Sequence, residues 1–124
     1  MENRVVFAGY VPDHLLAALY SAARMLVLPS LDEGFGLPAA EAMACGTPVA
    51  ASSAGALPEV VGEAGVFFDP LNEDMMASAI ERLLTRDDLH ARCSELGLER
   101  AKRHRWSTVA GKVFSELGRI VVHR

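Results

Sequence analysis

The chain has 124 residues, enough for one domain or a piece of one but not for two lobes. Its 51% hydrophobic and 23% charged residues match an ordinary soluble globular protein and exclude the disordered and fibrous classes. No apolar run approaches the ~20 residues of a membrane span, no basic region followed by an apolar segment marks a signal peptide, and a net charge of −4 argues against nucleic acid as the main partner, so a cytoplasmic, soluble domain is the expectation.

Residues 4 to 10, RVVFAGY, form a short apolar run closed by Gly9, which predicts a strand. Val11-Pro12-Asp13 then turns the chain, with Asp13 available as a helix N-cap. A helix is predicted over 14 to 23, with Leu15, Leu16, Leu19 and Tyr20 on one face. MLVLP, residues 25 to 29, is too short for a stable helix and apolar throughout, as a strand buried on both faces should be. The next helix is predicted to begin at Pro38, because proline suits the first helical position, and to end at Gly46. TPVAAS at 47 to 52 reads as a strand, SAGALPEVVGEAG as a loop with room for a helical turn, and VFF at 66 to 68 as another strand.

The remainder reads as helical. Asn72 caps a helix in which Met75, Met76, Ala79, Ile80, Leu83 and Leu84 recur at helical spacing, with Glu73 and Asp74 favourably near its N-terminus. Thr85 and Asp88 form a T-x-x-D capping signature for a further helix to about His104, and Ser107 opens a last one. Strands alternating with helices imply an α/β fold with a parallel sheet covered on both faces. About four strands precede the helices, fewer than the roughly six of a complete dinucleotide-type sheet, which suggests a truncated domain.

EGFGLPAAE, residues 33 to 41, leaves the strand at 25 to 29 and enters the helix at Pro38. This is the carboxyl end of a parallel strand, where open α/β sheets bind their ligands. Gly34 and Gly36 permit close approach of backbone to a ligand, and the N–H groups that open a helix attract anions such as phosphate. The carboxylates of Glu33 and Glu41 cannot share that task, since a diphosphate would repel them. They are suited instead to accept hydrogen bonds from the paired hydroxyls of a ribose or a hexose. A phosphate cradle flanked by two hydroxyl acceptors describes a nucleotide-sugar site. On the motif alone, Glu33 as a solvated loop residue and Glu41 as a surface helix residue stays open.

Other candidate sites are weak. Cys45 and Cys93 belong to no CxxC pair and read as small, buried or half-buried thiols. His14, His90, His104 and His123 lack metal-ligand spacing, and no D-x-D pair is present to hold a divalent cation, so neither metal nor cofactor is expected. RAKRHR at 100 to 105 reads as the solvated end of a helix rather than a nucleic-acid patch. Tyr10, Tyr20 and Phe67 read as core or strand-packing residues.

The stretch YSAARMLVLPSLDEGFGLPAAEAMACGTPVAASSAGALPEVVGEAGVFFDP closely resembles the donor-binding half of the retaining GT-B glycosyltransferases. Glu33 and Glu41 of the E-x7-E element, EAMACGTPV, the LPEVVG loop, the DP before the helix at 73, and Trp106 all appear in the family's order, so the resemblance covers essentially the whole chain. It implies a Rossmann-like three-layer parallel sheet: residues 1–124 would be a partial C-terminal lobe of a GT-B fold, truncated at its N-terminal side. It further implies a hexosyltransferase that moves a sugar from a UDP-, GDP- or ADP-sugar to a glycan or lipid acceptor with retention of configuration. The acceptor would be bound by a preceding lobe, metal would not be required, and the full-length enzyme could associate peripherally with a membrane. By the same resemblance Glu33 lies near the donor sugar as the candidate catalytic residue; positioning and charge stabilisation is the preferred role, and direct chemistry stays open. Glu41 holds the ribose hydroxyls, and the backbone of Gly34, Phe35, Gly36 and Leu37 contacts sugar and diphosphate. Gly9, Tyr10 and Val11 border the base.

Two departures from the family pattern bear on this expectation. The arginine and lysine that neutralise the diphosphate in the family lie upstream of the first residue here, which implies a fragment inactive alone. Arg105 stands where the family usually has an aromatic residue, which affects packing there more than the site. Two other readings remain: a nucleotide-sugar epimerase on the same architecture, and a non-catalytic nucleotide-sugar-binding module.

Overall fold

The structure is a computed structural model that describes residues 4–105 together with 110, 111, 113, 115 and 119. Helix α1 (Asp13–Ala22) is followed by β1 (Leu26–Leu28), α2 (Leu37–Ala44), β2 (Val49–Ser52) and α3 (Leu57–Val61). A 3-10 turn (Gly62–Ala64) leads into β3 (Gly65–Phe68); α4 (Glu73–Thr85), α5 (Asp87–Ala101) and a second 3-10 turn (Lys102–His104) complete the described fold. The strands form a parallel sheet in the order β1-β2-β3, with Leu26 opposite Val49 and Val49 opposite Gly65.

Both faces of the sheet are covered, which is why its strands are apolar without alternation. Val49 and Ala51 point to the layer of α2 and α3, packing with Ala39, Ala42, Met43, Leu57 and Val61. Ala50, Val66 and Phe68 point to the opposite layer, packing with Ala79 and Leu83 of α4 and Cys93 of α5. The three-layer parallel α/β architecture expected from the sequence is therefore present.

Several local expectations are corrected. Residues 4 to 10 form no strand, and Val6, Phe7 and Tyr10 are 86%, 94% and 86% exposed. An apolar run becomes a strand only where a neighbour takes up its N–H and C=O groups. Among the described residues, no such ladder joins this segment to the outer edge of β1. For the same reason β1 is half-buried rather than buried on both faces: it is an edge strand. Tyr10 accordingly packs in no core.

Helix ends also differ in detail. Asp13 is the first residue of α1 rather than its cap; extended Pro12 precedes it, and Asp13 sits where a negative charge suits the helix dipole. Of the predicted apolar face only Leu16 and Tyr20 are half-buried, while Leu15 and Leu19 are exposed. Helix α2 starts at Leu37, so Pro38 is its second residue, and Gly46 in a left-handed conformation follows its end. Asn72 caps α4 as expected, its Oδ1 accepting from Met75 N–H at 3.0 Å. Thr85 does not cap α5. It is still helical, and its hydroxyl donates to Glu81 O at 2.8 Å, leaving Arg86 as the single residue of the junction. Ser107 and Trp106 lie outside the described residues.

Candidate functional site

The carboxyl ends of β1 and β2 lie side by side, and the loops that leave them are stitched together. Buried Ser52, the last residue of β2, donates its hydroxyl to Ser30 O at 2.6 Å. Ala56 N–H donates to Glu33 O at 3.1 Å. At Gly55, with φ +59, a Cβ would come within 2.8 Å of Glu33 N and 2.9 Å of Glu33 O, so only glycine lets the two loops meet this closely. The small residues of SSAGA thus clamp the backbone of Glu33, a role the sequence reading left unassigned. Small residues directly after a strand were the available signal.

The Glu33 side chain accepts from Ser30 Oγ at 3.0 Å, which orients one carboxylate oxygen and leaves the other for a ligand. Exposed Gly34 and Phe35 follow, and then buried Gly36. Gly36 has φ +84, and a Cβ there would lie 2.6 Å from Cδ2 of the fully buried Leu57. The start of α2 offers fewer anion-binding groups than a typical helix end. Pro38 has no N–H, and the N–H groups of Ala39 and Ala40 both donate to Gly36 O, at 3.0 and 3.2 Å. What remains for an anion is the Leu37 N–H and the loop amides before it.

Glu41 lies one turn into α2 and faces α1. Its Oε2 accepts from the Tyr20 hydroxyl at 3.1 Å across a groove of about 540 Å³ lined by Asp13, Leu16, Tyr20, Leu37, Glu41 and Cys45. Burial first, and the Glu41 carboxylate second, push the Tyr20 phenol up to about 12. Tyr20 therefore stays a donor at neutral pH and fixes one Glu41 oxygen, leaving Oε1 with both lone pairs. From sequence Tyr20 reads as a packing residue. It is one, against the α2 side of the sheet, but its hydroxyl also orients the carboxylate.

The structure brings Glu33, Gly34, Phe35, Gly36 and Leu37 into one loop at the sheet edge and sets Glu41 in the adjacent groove beside Leu37. Gly9, Tyr10 and Val11 precede α1 and do not line that groove. Among the described residues, no group of three or more His, Cys, Asp or Glu is placed to hold a metal, and no helix is long and apolar enough to cross a membrane. Cys45 and Cys93 are free thiols, half-buried and buried. Arg100, from the basic run read as solvated, is instead half-buried and donates from Nε to Val60 O at 3.0 Å and from Nη2 to Glu59 O at 2.5 Å, capping the end of α3.

Parallel strands sandwiched by helices, with long loops at the carboxyl ends of β1 and β2, make this a Rossmann-like α/β domain of the GT-B type. Sucrose-phosphate synthase from Thermosynechococcus elongatus superposes with a TM-score of 0.87 at 36% identity, over 98% of this chain and 31% of that one. The C-terminal domain of a glycosyl transferase group 1 family protein from Francisella tularensis gives 0.71 at 30% identity, over 80% of this chain and 52% of that one. The chain belongs to the glycosyl transferases group 1 family, whose family model matches residues 1–100. It is 46% identical over 105 residues to O-antigen chain mannosyltransferase B of Escherichia coli, covering 85% of this chain and 28% of the relative. It is 44% identical over 104 residues to MMP alpha-(1->4)-mannosyltransferase of Mycolicibacterium hassiacum, covering 81% and 25% respectively. The chain thus spans less than a third of the length of these curated relatives.

Proposed function

We propose that these residues are the donor-binding part, a partial C-terminal lobe, of a longer cytoplasmic glycosyltransferase that moves a hexose from a nucleotide-sugar to a glycan or lipid acceptor with retention of configuration. The observation that carries this reading is the placement of two hydrogen-bond-oriented carboxylates, Glu33 and Glu41, on either side of the Gly34–Leu37 backbone at the carboxyl end of β1. The two mannosyltransferase relatives favour a mannose donor.

The groove between α1 and α2 holds two carboxylates, Asp13 and Glu41, and so suits a hydroxyl-bearing group rather than a phosphate. A ribose placed there donates its hydroxyls to Glu41, chiefly to Oε1. The diphosphate then reaches the Leu37 N–H and the glycine loop, where the positive end of α2 contributes roughly half a charge. The sugar lies over Glu33. As the bond from the anomeric carbon to the diphosphate oxygen breaks, its electron pair leaves with the diphosphate. The acceptor hydroxyl oxygen bonds to the carbon on the same face and its proton passes to the departing diphosphate oxygen. Glu33 stabilises the positive charge that develops on the ring, and the loop amides stabilise the negative charge on the leaving group. Gly9–Val11 border the base.

The test is to titrate the longer transferase with a panel of UDP-, GDP- and ADP-sugars, then assay transfer and determine the anomeric configuration of the product by NMR. One donor is expected to bind and transfer with retention. Binding of no nucleotide-sugar would overturn the reading, and an inverted product would overturn its stereochemical part. Residues 1–124, expressed alone, are expected to give no turnover.

A further inference from the structure

Helix α5 lies antiparallel along α2 in constant register. Ser94 Oγ donates to Gly46 O at 2.6 Å beyond the end of α2. Buried Gly97 packs on Met43 so closely that a Cβ would sit 3.3 Å from Met43 Cγ. Beyond the start of α2, the ring of His104 meets the ring of Phe35 edge to face, with centroids 5.3 Å apart and planes at 83°. One turn earlier Arg100 anchors this end of α5 to the last carbonyls of α3. Leu57 of α3 in turn occupies the space beside Gly36. The final turn of α5 therefore holds α3, whose Leu57 walls the glycine loop, and His104, in the 3-10 turn that follows α5, contacts the side chain at the middle of that loop.

We propose that His104 is a positioning residue of the donor site: through Phe35 it holds the Gly34–Gly36 backbone where its amides face the diphosphate. His104 itself touches no donor atom. The inference rests on the donor-site reading above. An edge-to-face contact favours one loop conformation over others that leave both rings in water, so losing it lets the glycines sample conformations that turn their amides away.

The test compares wild type, His104→Ala, His104→Phe, Phe35→Leu and the double variant His104→Ala/Phe35→Leu in the longer transferase. Affinity is measured for the best nucleotide-sugar of the panel and for its bare nucleoside. His104→Ala is expected to weaken the nucleotide-sugar roughly three- to tenfold, the range a lost aromatic pair supports. The nucleoside, which reaches Glu41 but not the loop, should bind unchanged. His104→Phe should restore affinity, and His104→Ala should add nothing in the Phe35→Leu background. Equal weakening of both ligands, additive single effects, or failure of phenylalanine to rescue would overturn the proposal. A wild type that binds no nucleotide-sugar overturns the donor-site reading and this inference with it; a wild type that binds while His104→Ala matches it overturns the inference alone.

Discussion

Residues 4–22 and residues 37–68 are comparably apolar, yet the first segment leaves Val6, Phe7 and Tyr10 in solvent and buries no residue of α1, whereas the second buries most of α2, β2 and α3. The difference lies in partners. Helix α2 has β2 beneath it and α5 alongside, and its alanines and Met43 fill that space. Helix α1 is joined to the rest by Tyr20 to Glu41 and Thr47 Oγ1 to Tyr20 O at 2.6 Å, and just beyond its end by an exposed Arg24–Asp87 pair at 2.7 Å. Such surface pairs contribute only about 0–1 kcal/mol. Glu41 thus sits on the packed region and Glu33 is tied to it by the Ala56 N–H, while Gly9–Val11, expected to border the base, sit on the loosely held one. On the proposed donor-site reading, the residues assigned to sugar and ribose are held by hydrogen bonds to neighbouring elements, and among the described residues those assigned to the base are not.

The contrast is tested most severely by Met43→Ala. Met43 is fully buried between the sheet and Gly97, and truncating it should cost about 2–5 kcal/mol in urea unfolding. A loss below ~1 kcal/mol would mean that this region packs no better than α1. Gly36→Ala comes next. Its positive φ and the wall formed by Leu57 should make it cost about 1–3 kcal/mol, read in the same way.

Glu41→Gln keeps the shape of the side chain but removes its charge and turns one acceptor into a donor. It should weaken nucleotide-sugar binding by on the order of tenfold, about 1.4 kcal/mol, with the fold intact. Calorimetry against ribose and 2′,3′-dideoxyribose nucleotides separates the causes: a penalty equal for both would show that Glu41 does not read the hydroxyls.

A smaller effect is expected from the tie between the two regions. The Tyr20 phenol rises from 10.0 to about 12 on folding, so the folded state keeps its proton where the unfolded state has lost it. The contribution of Tyr20 to stability is therefore full below about pH 10 and is lost as pH rises through about 12. Tyr20→Phe should flatten that part of the stability profile; identical slopes for both proteins would remove Tyr20 as the linkage. The smallest effect is expected from Phe7→Ser, within about ±0.5 kcal/mol, because Phe7 gains nothing from folding that water does not already supply. A loss above ~1 kcal/mol would reveal a partner for residues 4–10 and erase the contrast.

Local chemistry in the sequence was enough to locate most elements. Proline near the start of α2, Gly46 after its end, Asn72 before α4, and the short strands read at 25–29, 47–52 and 66–68 depend on backbone geometry within a few residues, and the fold agrees with them to within one or two residues at each end. The E-x7-E spacing placed Glu33 and Glu41 at the carboxyl end of a strand because that spacing is one loop and one helical turn. Tertiary structure alone decided what happens between distant segments. RVVFAGY has the composition of a strand, but a strand is made by hydrogen bonds to a neighbour, which composition does not contain. Tyr20 and Glu41, 21 residues apart, and Phe35 and His104 meet only because α1 and α5 pack beside α2. Gly55 matters only because the loops after β1 and β2 cross at Glu33. Sequence proximity governs dihedral preference and capping; orientation of the carboxylates and support of the glycine loop come from contacts between residues that the chain itself keeps far apart.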